Sequence, residues 1–395
     1  KSFESIKATQ KFNLGGLAYS SSVEYGFYRG LNTTLKLTEF LRMQTFASYR
    51  NLDATTGVDS LGQKYLRSRV EDGFHRTASE LSHLRAMQEK TGGANLIYSP
   101  LSIPLVLQFN AVLTEWSLPK PQGVGYKKPE WSGSTLKNYS INFQYPIRNI
   151  RMVGEFAFAG QQHYSILQSG ATSLSKKMDL SYLFRLYSSG YFSPKSNGLS
   201  ENSENLNEIG LFLGHSYLIT RQIRLSSYLD FYRFPGPKYQ VIQANTSGWE
   251  VLSRLQWEKR HIARGFIQGK WTRKEDHDLL QISLDGHYIA FKSWDFHLRA
   301  MASRLGSEIG YLILHDIKWD QGKWNLQARI AYVNSPSYDT RLYAYEPGVP
   351  YSFLLPAYTG VALKTNLVIA FQWNKEIQLA AKWAQIRYQD RTEIG

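Results

Sequence analysis

The stretch IRLSSYLDFYRF, residues 223–234, places Ile223, Leu225, Leu229 and Phe231 on one parity and Arg224, Ser226, Tyr228, Asp230 and Tyr232 on the other. Successive side chains of a β-strand point to opposite faces, so this segment carries one oily face and one polar, charged face. A strand of a soluble sandwich reads this way, and so does the wall of a pore. The choice depends on what surrounds it.

The chain has 395 residues, 43% of them hydrophobic, and no cysteine, which excludes disulfides, thiolate metal sites and cysteine nucleophiles. Its aromatic content is 14%, with 26 Tyr and 10 Trp, a composition suited to amphipathic rings at a membrane surface. The longest apolar runs, PLVL at 104–107 and NLVIAF at 366–371, fall far short of the roughly 20 residues a membrane-crossing helix needs. That excludes a helical membrane protein. No charged region followed by an apolar stretch stands at Lys1, so a signal peptide, if the gene encodes one, is expected upstream of it. The net charge of +14 suits nucleic acid, anionic lipid or lipopolysaccharide, or an anion pathway alike.

The alternation of 223–234 recurs in pairs around short polar turns. Leu367, Ile369, Phe371 and Trp373 alternate up to Asn374–Glu376, and Ile377, Leu379, Ala381 and Trp383 alternate away. Similar pairs flank Pro146–Asn149, Thr220–Gln222, Glu258–Arg260, Lys292–Asp295 and Asp320–Lys323, with less regular ones at Thr38–Phe40, Pro100–Leu101 and Ser175–Lys177. This spacing predicts about nine hairpins, or about 18 strands or more. The opposite connections, 52–90, 116–137, 191–206, 235–246 and 334–362, are long and hold most of the Pro, Gly, Ser and Asn clusters. Short turns at one end and long loops at the other are the asymmetry of an outer-membrane barrel.

Trp257, Trp319, Trp324 and Trp373 fall at the turn ends of strands on the apolar parity, where an aromatic girdle meets the periplasmic interface. Further from the turns that parity becomes polar, at Arg233 in one strand and at Gln385 and Arg387 in another. The apolar band is thus four or five outward residues tall, near the ~25 Å expected of such barrels. The expected fold class is all-β, a transmembrane antiparallel β-barrel of the outer-membrane type with one short loop helix. The oily face of 223–234 then meets lipid, and its polar face lines a lumen.

The segments FASYRNLDA (46–54), GFHRTASEL (73–81), GLFLG (210–214) with DFYRFP (230–235), and DTRLYAYEP (339–347) with AQIRYQDRTEIG (384–395) resemble a Bacteroidota outer-membrane barrel family. Its members often carry a periplasmic helix-hairpin-helix domain before the barrel. The resemblance runs over most of residues 1–395 and implies a single barrel domain in the bacterial outer membrane. No helix-hairpin-helix segment is present, so that domain's DNA association attaches to no residue here. The last strand ends near Gly395 on the loop side, from which terminal segments of the gene product are expected to lie outside this sequence at both ends.

Ser283, Asp285 and His287 share the polar parity of one strand. Neighbours on one strand face stand roughly 6.5–7 Å apart, too far for a nucleophile-base-acid chain without another strand, and no catalytic residue is expected there. His261, His277, His287, His297 and His315 lack metal-binding spacing, so a metal would need cross-strand pairing. No metal site is expected, and no cofactor motif appears. The inward parity is rich in cations: Arg151, Arg185, Arg224, Arg254, Arg264, Arg299, Arg329 and Lys382, with Glu155, Asp179, Asp230 and Asp285 on the same faces. This ladder is either an anion-attracting lumen or a cross-strand salt-bridge network. Residues 77–90 read as a helix, with a capping box of Thr77 and Glu80 and a stripe of Leu81, Leu84 and Met87, placed to plug the lumen or to dock a partner.

The expected role is non-enzymatic: envelope transport, or a subunit of an outer-membrane export or assembly complex. The expected partners are outer-membrane lipid, lipopolysaccharide and other envelope proteins. An anion-selective channel and a DNA-uptake conduit are the alternatives, and nothing in this chain singles out nucleic acid as a partner.

Overall fold

A computed structural model describes residues 5–10, 25–127, 130–160, 162–202, 204–239, 241, 243–275 and 277–390. A single helical turn, α1 (Ser5–Thr9), precedes β1 (Gly30–Lys36) and β2 (Leu41–Leu52). The loop after β2 holds a small hairpin, β3 (Ala54–Val58) and β4 (Lys64–Arg69), and a second helical turn, α2 (Ala78–Ser82). The hairpins β5 (Met87–Tyr98)/β6 (Val106–Lys120), β7 (Gly133–Ile147)/β8 (Ile150–Ala159), β9 (His163–Ser175)/β10 (Met178–Tyr187) and β11 (Glu208–Thr220)/β12 (Ile223–Phe234) follow. Next come β13 (Thr246–Lys259)/β14 (Ala263–Lys274), β15 (His277–Ala290)/β16 (Trp294–Leu305) and β17 (Glu308–Gln321)/β18 (Trp324–Ser335). A two-residue pairing of β19 (Leu342–Tyr343) with β20 (Ala357–Tyr358) sits in the loop before β21 (Gly360–Gln372) and β22 (Gln378–Tyr388).

Eighteen of these strands form one sheet, so the nine hairpins stand where the alternation puts them. The fold class is all-β, with one eighteen-stranded antiparallel sheet among the described residues. By its internal contacts the chain divides into two compact units. The first comprises residues 1–174, 179–213 and 230–247, and the second 175–178, 214–229 and 248–395.

The burial pattern answers the question raised by 223–234. Ser226, Tyr228, Asp230 and Tyr232 are buried, while Leu229 and Phe231 are 40% and 48% exposed. The same inversion runs through the second unit, where Ile282, Leu284, Ile313 and Ile330 are exposed and Asp285, Arg329 and Glu250 are buried. In water this arrangement would expose apolar area at roughly 25 cal/mol per Å² while desolvating charge. It is the arrangement a strand adopts when its outward face meets hydrocarbon.

At the turn ends of the second unit, Trp257, Trp324 and Trp373 are exposed on the outward parity. Trp319 lies opposite Trp294 in register, with ring centroids 6.2 Å apart. Trp324 packs on Phe371 at 4.6 Å and Phe371 on Trp373 at 6.3 Å. The sequence pattern places the turn over 292–295 and so leaves Trp294 out of the expected girdle. The turn lies at 291–293, and Trp294 opens β16.

Two expectations need correction. The long-loop asymmetry holds for five connections, but β8–β9, β14–β15 and β16–β17 are joined by residues 160–162, 275–276 and 306–307 alone, with Gly160, Glu275 and Gly306 at positive φ. The helix expected over 77–90 is one turn. Thr77 and Glu80 do form the reciprocal capping box. After Ser82, however, the chain leaves the helix, passes a left-handed Arg85 and enters β5 at Met87, paired with Leu52. Twelve residues of ladder with β2, including the poor helix formers Thr91, Gly92 and Gly93, outweigh the helical preference of a short segment. Met87 is buried on the strand's inner parity, whereas Leu81 and Leu84 are exposed, so the three make no common stripe. The end of the last strand expected near Gly395 lies outside the described residues; β22 is described to Tyr388.

Replacing Ile330 by Arg on the outward face of β18 is expected to cost ~2–4 kcal/mol of folding stability in lipid vesicles. Gln281→Arg, on the polar face of β15, should cost under about 1 kcal/mol. Urea titration followed by Trp fluorescence measures both; equal costs would mean that the outward face meets water.

Candidate functional site

The polar faces of the two units are where charged side chains and folded-in loops meet. In the first unit, Arg185 of β10 is fully buried. Its Nε donates to Glu208 Oε1 at 2.6 Å, and its Nη1 and Nη2 donate to Asp230 Oδ1 and Oδ2 at 2.7 and 3.2 Å. One guanidinium thus ties β10 to residues on β11 and β12, using the planar fork that suits carboxylates. The space for it exists because residue 210 is glycine: a Cβ there would stand 2.3 Å from Arg185 Cζ. The second oxygen of Glu208 accepts the backbone N–H groups of Glu201 and Asn202 at 2.8 and 3.2 Å, which pins the 188–207 connection to the wall.

That connection folds over the polar face. Tyr187 donates its hydroxyl to Leu199 O at 2.9 Å, Asn138 Nδ2 donates to Phe192 O at 2.9 Å, and Lys195 Nζ reaches Glu89 Oε1 at 3.0 Å. Burial pushes the Lys195 ammonium below its usual range, with Glu89 opposing the shift. A cavity of about 1210 Å³ lies between loop and wall, lined by amides that include Asn95, Gln108, Asn110, Asn142 and Gln168.

In the second unit the inward side chains form a continuous chain of ion pairs. Arg299 Nε donates to Asp285 Oδ2 at 2.6 Å, and Arg329 Nε and Nη2 donate to Asp316 at 2.5 and 2.6 Å. His297 lies between them, its Nε2 2.9 Å from Asp285 Oδ2 and its Nδ1 2.8 Å from Asp316 Oδ2. Glu250 accepts from Tyr228 at 2.5 Å and Thr272 at 3.1 Å and pairs with Lys270 at 3.0 Å. The 336–359 connection packs on this face as the 188–207 connection of the first unit does on its own. Leu342, Ala344 and Tyr358 bury against Leu312, Leu314, Ala331 and Val333. Arg329 Nη1 donates to Tyr345 O at 2.5 Å, and Glu346 pairs with Lys364 and, at 3.4 Å, with Lys382.

The expected ladder is therefore mostly engaged. Arg185, Arg299, Arg329 and Lys382 each meet a carboxylate. Arg254 donates to Gln268 at 2.6 and 2.8 Å over the Phe266 ring. Arg151 donates to Gln144 at 3.1 Å and Arg224 to Ser216 at 3.0 Å, and both, like Arg264, are exposed. Glu208, Asp316, Glu346 and Lys364 are not singled out by the sequence, which names His297 only among histidines that would need cross-strand pairing to meet a metal. For His297 and Asp316 a signal existed: a hairpin turning at 291–293 sets residue 285 opposite 299 and 287 opposite 297, and the next strand sets 297 opposite 316. The Ser283, Asp285 and His287 set is not arranged for nucleophilic catalysis. His287 Nδ1 lies 3.1 Å from Asp295 Oδ1 and its Nε2 3.7 Å from Asp285 Oδ1, so both ring nitrogens face carboxylates rather than Ser283.

Arg185→Met leaves two buried carboxylates without a cation and is expected to cost ~3–5 kcal/mol in urea unfolding; Glu208→Gln with Asp230→Asn added to that variant should restore most of it. A loss under about 1 kcal/mol would mean the carboxylates reach water. In the loop, burial raises the Glu346 carboxyl but bonding to Lys364 and the charges of Lys364 and Lys382 outweigh it, holding the group below the usual carboxylate range. A depressed folded-state pKa stabilises the loop's docking above the unfolded value of ~4.3, and that stabilisation is lost as pH falls through the folded value. The protection factors of the Leu342–Tyr343 amides, with intrinsic exchange divided out, should fall below about pH 4 in the parent protein and stay constant with pH in Glu346→Gln.

No protein-family model matches the chain, and no curated protein does. Among solved structures, the chain is similar to the FrpB iron transporter of Neisseria meningitidis in its apoprotein form, at 8% identity and a TM-score of 0.40, over 87% of this chain and 64% of that one. It is similar also to OccAB4 of Acinetobacter baumannii, at 8% identity and a TM-score of 0.37, over 89% and 95%. A third match is the ferric yersiniabactin uptake receptor FyuA of Yersinia pestis, at 9% identity and a TM-score of 0.34, over 91% and 59%. The chain thus spans less than two thirds of the first and third of these proteins, and nothing about its own cargo follows from them.

Proposed function

We propose that this chain is a non-enzymatic barrel of the bacterial outer membrane that works in envelope transport, or as a subunit of an export or assembly complex, with its polar face occupied by its own loops. One observation carries the reading: in each unit a long connection folds onto the polar face and is tied there by buried ion pairs and apolar contacts, through Arg185, Glu208 and Lys195 in the first and Leu342, Tyr358 and Glu346 in the second. Loops held this way occupy the space an open pore needs, and they release or rearrange when a partner or cargo supplies competing contacts.

The anion-channel alternative draws less support. A selective lumen needs cations whose field reaches the permeating ion. Arg185, Arg299 and Arg329 instead meet carboxylates at 2.5–2.7 Å, and close opposite charge cancels most of a cation's field at a distance. A nucleic-acid conduit has the same requirement for available cations. Transport remains open to both units through rearrangement of the loops rather than through a fixed charged path.

The test combines purification from the native outer membrane in mild detergent with planar-bilayer recording of the purified chain. Stoichiometric envelope partners and little steady conductance are expected, with conductance rising when 336–359 is shortened to a four-residue turn. Steady anion-biased conductance of the parent chain that collapses in a combined Arg224→Gln, Arg254→Gln, Arg299→Gln and Arg329→Gln variant would replace this reading with the channel.

A further inference from the structure

Three ligand-bearing side chains on the polar face of the second unit meet at one point. The β15–β16 register puts His287 directly opposite His297, and their rings lie parallel within 8°, with centroids 4.0 Å apart. Asp285, two residues before His287 on the same face, turns one oxygen to each: Oδ1 lies 3.7 Å from His287 Nε2, and Oδ2 lies 2.9 Å from His297 Nε2. The ligand atoms of all three lie within 4.8 Å of one another.

What surrounds them is as informative. His287 Nδ1 is 3.1 Å from Asp295 Oδ1, and His297 Nδ1 is 2.8 Å from Asp316 Oδ2. A carboxylate at Nδ1 holds the proton there and leaves the lone pair on Nε2, which is how a second carboxylate orients a metal-binding imidazole and raises its basicity. Both histidines have this arrangement at Nδ1; His287 Nε2 stands 3.7 Å from Asp285, whereas His297, with Asp285 also 2.9 Å from its Nε2, donates from both nitrogens until an ion replaces the Nε2 proton. Each outer carboxylate is itself placed: Asp295 shares the inward parity of β16 with His297, and Asp316 is held by Arg329.

We propose that Asp285, His287 and His297 form a binding site for a divalent metal ion of the Zn²⁺ type, with Asp295 and Asp316 as positioning residues. Two imidazoles and one carboxylate are the donor set that borderline divalent ions such as Zn²⁺ take, and three protein ligands leave a fourth position open toward the polar side. Arg299 stays on Asp285 Oδ2, so the carboxylate supplies Oδ1 alone. Binding breaks the His297 Nε2 contact with Asp285, and any proton held there leaves to solvent as the ion takes the lone pair. The stacked rings open from parallel as both nitrogens turn to one ion at ~2.0–2.1 Å.

The full chain in detergent, stripped with EDTA and titrated calorimetrically with ZnCl₂, is expected to bind one ion per chain. His287→Gln with His297→Gln should abolish that binding, and Asp316→Asn, which keeps all three ligands, should weaken it ~10–100-fold. Heat-modifiable gel migration reports whether each variant folds. Should the histidine variant not fold, Zn²⁺ is expected to protect His287 and His297 of the parent chain from diethyl pyrocarbonate, mapped by mass spectrometry. A parent chain that takes up no Zn²⁺, uptake undiminished in a folded histidine variant, or histidines left unprotected would overturn the site.

Discussion

A sheet that turns its aliphatic side chains outward leaves its charged ones facing each other, and charges withdrawn from water must be paired. This constraint organises both units. Ion pairs buried this way are weak sources of net stability, since desolvation offsets much of their attraction, but removing one partner is expensive. Their effect is to fix which strands and loops stand together. Arg185 joins residues on β10, β11 and β12, and Asp316 holds His297 and Arg329 from the strands on either side of its own.

The same pairing decides what the polar face offers to a ligand. A run of arginines read along the chain suggests an anion path, but Arg185, Arg299 and Arg329 meet carboxylates contributed by other strands. Where such pairs form, the field that leaves the face is that of dipoles and hydrogen-bonding amides more than of the paired arginines. In the first unit this is visible as an amide-lined cavity beneath the 188–207 connection, and in the second as a chain of acid-base pairs running from Asp285 to Arg329. The loops are therefore part of the polar face, and any passage or docking there acts on them first.

The outward face has a simpler logic. Exposed Ile, Leu and Phe in the middle of strands and Trp at their turn ends follow the two solvents of a bilayer, hydrocarbon and interface. The pairing of Trp294 with Trp319 and of Trp324 with Phe371 shows the turn-end aromatics gathering across strands as well as along them. The backbone of such strands satisfies its donors and acceptors within the sheet, which is what lets them sit in hydrocarbon at all.

The sequence by itself determined the strands, their faces and the nine hairpins, because period-2 alternation and polar turns are local signals read within a dozen residues. It also marked the capping box of Thr77 and Glu80, a contact spanning three residues. It misjudged what came next, extending a helix through Met87, because the ladder between β5 and β2 joins residues more than thirty positions apart and competes with local preference from a distance. The tertiary structure alone decided the partners of the charges. Glu208 on Arg185, Glu346 between Lys364 and Lys382, and His297 between Asp285 and Asp316 depend on strand register and loop placement. A side chain's parity is written in its own neighbourhood, but the charge it meets comes from another strand.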